Sequence, residues 1–355
     1  MKAEWKSCTA PALVALVIGC WSTLAAAEPT ASTSSDCIPC TEPNGRGIYI
    51  REGMDYCIEH GDMRFCPEAF VQGSAQEASP VHLAGRFFWK NQSPFESWQM
   101  YPVRATLGRG KLVTLTGFKV QGAHLSFLYK YSPSDPESEA DLSTLTLTIS
   151  PNDMGRWQLS FKKRRDQGYT GTWTGSGGVT QDFCPDKPLM NEPPMKLMNL
   201  LPGKQVDGKT GKVTEESRMV TMACYTGAIA TCMRWGYNPS DLGEPATTEN
   251  ALLGACIQAK RAAYFLASGD TSSYTQNGKT IAMQDHYKVK KDPITALEAV
   301  WTENGAECLN LDNRRINNPP LPTGWNTKLH DSCSNDYLKI GPGEKYIFTG
   351  KVAQP

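Results

Sequence analysis

Between residues 81 and 175 apolar and polar side chains alternate with the period of two that belongs to half-buried β-strands. Residues 81–89, 112–120, 125–131, 142–149, 157–161 and 169–173 read as strands. In the fourth of these, Leu142, Thr144, Thr146 and Thr148 fall on one side, and Leu145, Leu147 and Ile149 on the other. Gly122, Gly155 and Gly168 stand between strands as turn residues. Residues 132–141 read as an acidic loop between two strands. One wet face and one dry face suit an antiparallel sheet, so a β-sandwich or small barrel is expected here.

On either side of this block the pattern changes. Residues 37–70 are punctuated by glycine and cysteine, with short strands predicted at 47–50, 54–58 and 63–66. Residues 184–217 are rich in Pro, Gly and Lys and read as a linker or long surface loop. Beyond it, 219–225 and 228–235 read as a strand pair around Gly227. Residues 249–266 carry the one long helical pattern, with Leu252, Leu253, Cys256, Ile257, Lys260 and Tyr264 at helical spacing and Thr247, Thr248 or Asn250 as its cap. Asn277-Gly278 and Asn304-Gly305 each separate two apolar runs, the strongest short-range hairpin signal. The expected organisation is an N-terminal leader at 1–27, a cysteine-rich segment at 28–80, an antiparallel β domain at 81–183, the linker at 184–217, and a disulfide-stabilised α+β domain at 218–355.

The leader changes how the rest is read. Lys2 and Lys6 precede an apolar stretch that ends in Ala25-Ala26-Ala27, small residues of the kind a signal peptidase reads. Cleavage after Ala27 is the preferred reading. The competing one takes Val17-Ile18-Gly19-Cys20 as a lipobox, which would anchor the protein to a membrane through a lipidated Cys20. Either way the chain is expected to be exported, to the periplasm or the extracellular space. Of 12 cysteines, Cys8 and Cys20 lie in the leader, leaving Cys37, Cys40, Cys57, Cys66, Cys184, Cys224, Cys232, Cys256, Cys308 and Cys333. In an oxidising compartment these read as a disulfide framework. With 36 basic and 36 acidic residues the chain has no excess of positive charge, and its basic run Lys162-Lys163-Arg164-Arg165 reads as a solvated turn, so no nucleic-acid partner is expected.

Candidate chemistry is sparse. Cys37-Ile38-Pro39-Cys40 has the form of a redox pair, but it follows a Ser/Thr linker and not a strand, so two structural half-cystines are the expected reading. Asp285 and His286, with Glu307, are the candidate acid/base residues, and Ser332 the nucleophile a hydrolase would need; Gly-x-Ser-x-Gly is absent. The alternating Asp135, Glu137, Glu139 and Asp141 lack the central Gly and terminal Glu of a calcium loop. No metal site and no cofactor are expected. Phe88, Trp89 and Trp98 cluster at the start of the β block and are the candidate binding surface.

One run of motifs carries a resemblance. Ala223-Cys224-Tyr225-Thr226-Gly227, Arg234-Trp235-Gly236-Tyr237-Asn238-Pro239, Lys260-Arg261-Ala262-Ala263-Tyr264-Phe265, Glu298-Ala299-Val300-Trp301 and Asn304-Gly305-Ala306-Glu307-Cys308 occur in this order. Through them residues 219–333 resemble the bacterial ADYC domain, named for an Ala-Asp-Tyr-Cys motif. Here that motif stands as Ala262-Ala263-Tyr264-Phe265, so its Asp and its Cys are replaced. Leaving the leader aside, five cysteines lie on each side of residue 200, and the missing motif cysteine accounts for the odd number in the later set. Either Cys184 bridges into the C-terminal domain, the favoured outcome in an oxidising compartment, or two thiols, one in each half, stay free. The resemblance implies no particular chemistry. The leading reading is therefore a non-catalytic, exported protein that binds a protein or small-ligand partner or supports the cell envelope. A hydrolase using Asp285 and His286, and a thiol-disulfide oxidoreductase using Cys37 and Cys40, are the alternatives.

Overall fold

The computed structural model describes residues 57–352, apart from 75, 90–97, 166–167, 185–195, 226, 271–273, 275–280, 314–332 and 340–345. The leader, Cys37 and Cys40, Asn277-Gly278 and Ser332 lie outside the described residues.

Fourteen strands form one curled antiparallel sheet. In chain order they are β1 (Ile58–His60), β2 (Met63–Gln72), β3 (Val81–Trp89), β4 (Trp98–Pro102), β5 (Arg104–Leu107), β6 (Lys111–Gln121), β7 (His124–Lys130) and β8 (Ser138–Asp141). Then come β9 (Leu145–Ile149), β10 (Trp157–Lys163), β11 (Tyr169–Gly175), β12 (Thr180–Asp182), β13 (Leu197–Val206) and β14 (Val213–Cys224). Spatially the order is β4-β3-β2-β14-β13-β11-β10-β9-β5-β6-β7-β8. This order dictates the curl. β4 lies at one end of the sheet, yet only Val103 separates it from β5, which pairs with β9 far along the path. Val103 donates its N–H to the Val81 carbonyl at 3.0 Å, drawing the two regions together into a seam. β6 then crosses over β2, where Gln72 Nε2 donates to the Thr116 carbonyl at 3.0 Å.

Inside the curl the apolar half of each alternating strand is buried. Phe70 meets Phe127 edge-on at 5.5 Å, and Trp173 stacks on Phe183 at 4.9 Å. The barrel-like expectation for the β block therefore holds. The sheet holds more strands than the alternation indicated: β4 and β5 occupy a stretch to which no strand was assigned, and β8 occupies part of the acidic loop.

The segment expected as a linker contains the whole of β13 and the start of β14. Pro202 and Gly203, read as breakers, sit where the ladder shifts register between Pro202 and Lys204. Gly203 has φ +66, a left-handed conformation that costs glycine little. At residues 219–224 and their partners in β13 this hairpin is buried on both faces. Met198, Leu200, Val220 and Met222 point into the sheet core, while Leu201, Val206, Val213 and Ala223 point into a second core. That two-sided burial explains the unbroken apolar run at 219–224.

The second core belongs to an α+β region. Residues 228–232, expected as a strand, form the short helix α1 (Ala228–Cys232), held by a disulfide from Cys232 to Cys256 of α2 (Ala246–Arg261). α2 is buried nearly all round, and it ends five residues before the expected position, where Ala262 turns left-handed at φ 52. The helices pack on a four-stranded sheet of order β15-β18-β16-β17, made of β15 (Ala282–Asp285), β16 (Ile294–Thr302), β17 (Gly305–Leu309) and β18 (Ile347–Val352). Asn304-Gly305 turns β16 into β17 as its signal indicated. Three further disulfides join Cys57 to Cys66, Cys184 to Cys224, and Cys308 to Cys333. The second is the bridge favoured by the odd counts. It ties the end of β14 to the sheet domain. Such a framework fits an oxidising, exported environment. Among the described residues, no helix is long and apolar enough to cross a membrane.

Candidate functional site

The residues singled out from sequence do not converge. Asp285 ends β15 and is buried. Its carboxylate accepts hydrogen bonds from the Tyr237 hydroxyl (2.8 Å), Val289 N (3.1 Å) and Lys290 N (2.7 Å). Burial, then the facing carboxylate, push the Tyr237 hydroxyl well above its ordinary range, so it stays a donor. Asp285 is thus spent on closing a turn. Its neighbour His286 lies edge-on to Phe348 at 5.1 Å, with Nε2 buried and unpartnered. Glu307 is exposed on β17, with β18 and β16 between it and β15, a span of about 14 Å at ordinary strand spacing. The aromatic candidates also divide. Phe88 is buried beside Cys66. Trp89 is 44% exposed and, as the next residue of the strand, points to the other face. Trp98, paired with Arg86 across β3 and β4, lies 5.8 Å below that guanidinium.

The motif tyrosine is enclosed. Tyr264 is fully buried and donates its hydroxyl to Glu298 Oε1 at 2.5 Å. Thr349 donates to Glu298 Oε2 at 2.8 Å and itself accepts from Trp301 Nε1 at 2.7 Å. The Tyr264 ring stacks between Trp301 and Tyr274, with centroids 5.5 and 6.1 Å away. Every atom of this network is turned inward, and the arrangement serves the core of the α+β region.

A different cluster emerges at the seam of the large sheet. Glu77, Ala78 and Ser79 from the β2–β3 loop, His82 of β3, Pro102 at the end of β4, Arg104 of β5, Thr148 and Ser150 at the end of β9, and Arg156 before β10 line a cavity of about 510 Å³. The fold makes it by bringing β3 and β4 from one end of the sheet against β5 and β9. Arg104 and Thr148 are direct cross-strand partners, so their side chains share a face. His82 and Pro102 pair in the same way across β3 and β4. His82 Nε2 lies 3.4 Å from Glu77 Oε2, while its Nδ1 is buried without a hydrogen-bond partner. Among the described residues no hydroxyl is hydrogen-bonded to that imidazole in the manner of an activated nucleophile. Among the described residues no group of three or more His, Cys, Asp or Glu side chains could hold a metal ion.

Sequence reasoning missed this site because its members are spread from residue 77 to 156 and meet only through the curl. The one local hint is Arg104, a lone cation between the buried Val103 and Ala105.

Outside the seam, one buried ion pair stands out. Arg86 Nε donates to Glu68 Oε1 at 2.8 Å on the outer face of β2 and β3, and Asp207 Oδ2 approaches the same guanidinium at 3.9 Å. Burial outweighs Arg86 and raises the Glu68 carboxyl to about 7. Its second oxygen is buried with no hydrogen-bond partner.

Comparison with known sequences adds one match. No curated protein and no solved structure matches the chain. The sequence profile of the ADYC domain matches residues 136–315. The match begins well before residue 219, where the motif resemblance started. It takes in β8 to β14 as well as the helices and most of the small sheet. Of the seam, Thr148, Ser150 and Arg156 fall inside it, whereas Glu77, Ser79, His82 and Arg104 do not. On the strength of a match over half its length, the chain belongs to the ADYC domain family.

Proposed function

We propose that this is a non-catalytic binding protein, exported to the periplasm or beyond the cell through its N-terminal leader, and that the seam cavity is its ligand site. The observation that carries the reading is the convergence of polar groups there. Side chains from five separate stretches of chain meet around one cavity of about 510 Å³, a size ordinary for small-ligand sites. The residues most suited to catalysis by sequence are occupied elsewhere: Asp285 by its turn, Glu307 by an exposed edge. The disulfides and the leader support export together.

The test is ligand-dependent stabilisation. A compound that binds only the folded chain raises its stability by about 2.7 kcal/mol at roughly a hundredfold excess over Kd. A panel of small metabolites screened by thermal unfolding is expected to give stabilisation in the wild type that Ser150→Trp, which fills the cavity, abolishes. Turnover of ester, amide or glycoside substrates by the purified protein would overturn the reading.

A further inference from the structure

The seam cavity has a charge character that narrows its ligand, and this step rests on the binding reading just given. We infer that the site takes a small organic anion, bearing a carboxylate or a phosphate group, held between Arg104 and Arg156.

Three observations on the lining residues lead there. Arg104 and Arg156 both line the cavity, and neither guanidinium has an ion-pair or hydrogen-bond partner among the described residues. Arg64 and Arg86, on the strands next door, have Glu59 and Glu68. Second, the one carboxylate in the lining, Glu77, is directed at His82 and leaves both guanidiniums uncompensated. Third, the remaining polar groups, the hydroxyls of Ser79, Thr148 and Ser150, also have no side-chain hydrogen-bond partner among the described residues, and His82 Nδ1 is buried with none.

The chemistry that satisfies all of these at once is anionic and oxygen-rich. A guanidinium presents a rigid fork of N–H donors that matches the two oxygens of a carboxylate or phosphate. Two such forks on one cavity outnumber its single carboxylate, Glu77, and favour an anion over a neutral or cationic ligand. The hydroxyls can each donate or accept, so they suit hydroxyl groups on the same ligand. A volume of about 510 Å³ suits a sugar acid, a phosphorylated sugar or a small polycarboxylate. A nucleic acid is disfavoured, because the chain carries no net positive charge, with 36 basic and 36 acidic residues, to support contact along a backbone.

The experiment is isothermal titration at constant ionic strength with three probes, citrate, glucose 6-phosphate and glucose, on the wild type and on Arg104→Gln, Arg156→Gln, Arg104→Lys and Ser150→Trp. Both arginines are exposed, so their variants are expected to fold normally. Citrate or glucose 6-phosphate should bind the wild type and glucose should not, and which of the two binds separates a carboxylate ligand from a phosphate one. Each Arg→Gln change should weaken binding at least tenfold, or about 1.4 kcal/mol. Arg104→Lys should also weaken it, since it keeps the charge and loses the fork. If glucose binds, and Ser150→Trp abolishes its binding while the arginine variants do not, the anion inference falls and the binding site stands. If either anion binds equally to all variants, including Ser150→Trp, both the inference and the site fall. Binding of none of the probes overturns the anion inference, and the metabolite panel then decides the binding reading separately.

Discussion

In the α+β region two buried carboxylates, Glu298 and Asp285, are answered by donors; at the seam of the large sheet two exposed guanidiniums are not. Glu298 is almost completely buried, and each of its carboxylate oxygens receives a hydroxyl, from Tyr264 and from Thr349. Asp285 receives three donors. By contrast Arg104 and Arg156 face one cavity with no partner among the described residues, beside a histidine with an orphaned nitrogen. A buried polar group left unpaired costs about 1–3 kcal/mol, so paired networks are what a stable core requires. Exposed cations that converge without partners do nothing for folding. The contrast separates the residues that hold this protein together from those available to something else. The family's signature tyrosine falls in the first group.

The sharpest way to break the comparison is to strip the α+β region of its crosslink. Replacing Cys232 and Cys256 by Ala removes the bridge that holds α1 to α2. A loss of about 2–4 kcal/mol is expected, read as a lower midpoint in chemical unfolding. A loss well under that range would mean that packing alone holds the helices. Next comes Tyr264→Phe, which keeps the stacked ring and deletes one donor to Glu298. The carboxylate then keeps Thr349 and loses the Tyr264 hydroxyl, and the expected cost is about 1.5–3 kcal/mol. An unchanged midpoint would show that the network is not what stabilises this core.

Glu68 stands between the two classes, since one oxygen is paired with Arg86 and the other with nothing. Its carboxyl is raised from 4.5 to about 7 by burial. The folded state therefore binds a proton more tightly than the unfolded one. The stability this contributes is fully present below about pH 4.5 and is lost as pH rises to about 7. Across that window the slope approaches about 1.4 kcal/mol per pH unit for one proton. Glu68→Gln should flatten this part of the stability–pH curve, and an identical curve in the variant would remove Glu68 from the account.

How far the sequence revealed these features depends on how local they are. The strands at 145–149, 157–161 and 169–173 were legible because alternation is a property of neighbours along the chain, whereas residues 142–144, expected to begin the first of them, form a 3-10 turn ahead of β9. The hairpin of β13 and β14 was not, since Pro202 and Gly203 look like loop residues until the partner strand shows them to form a register shift. α1 was misread because Ala-Ile-Ala-Thr carries no period long enough to choose between helix and strand. The site was illegible for a stronger reason. His82, Arg104 and Arg156 become neighbours only when β4 and β5, adjacent in the chain, are placed far apart in one curling sheet. Asp285 and His286 attracted notice because they adjoin in sequence, which says nothing about what their side chains face.

The smallest expected effect bears most directly on the comparison. If the seam arginines are free of structural duty, Arg104→Gln and Arg156→Gln should leave unfolding stability within about 0.5 kcal/mol of the wild type. Combining them should not lower it, because the change removes two like charges that share one cavity and breaks no ion pair among the described residues. The same double change made on a pair that does serve the fold, Arg86→Gln with Glu68→Gln, should be felt, because that pair is buried and Trp98 packs against the guanidinium. Chemical unfolding of the two double variants side by side decides the matter. A loss of more than about 1 kcal/mol from the seam pair would mean that these arginines support the closure of the sheet, and that the cavity between them is a by-product of folding.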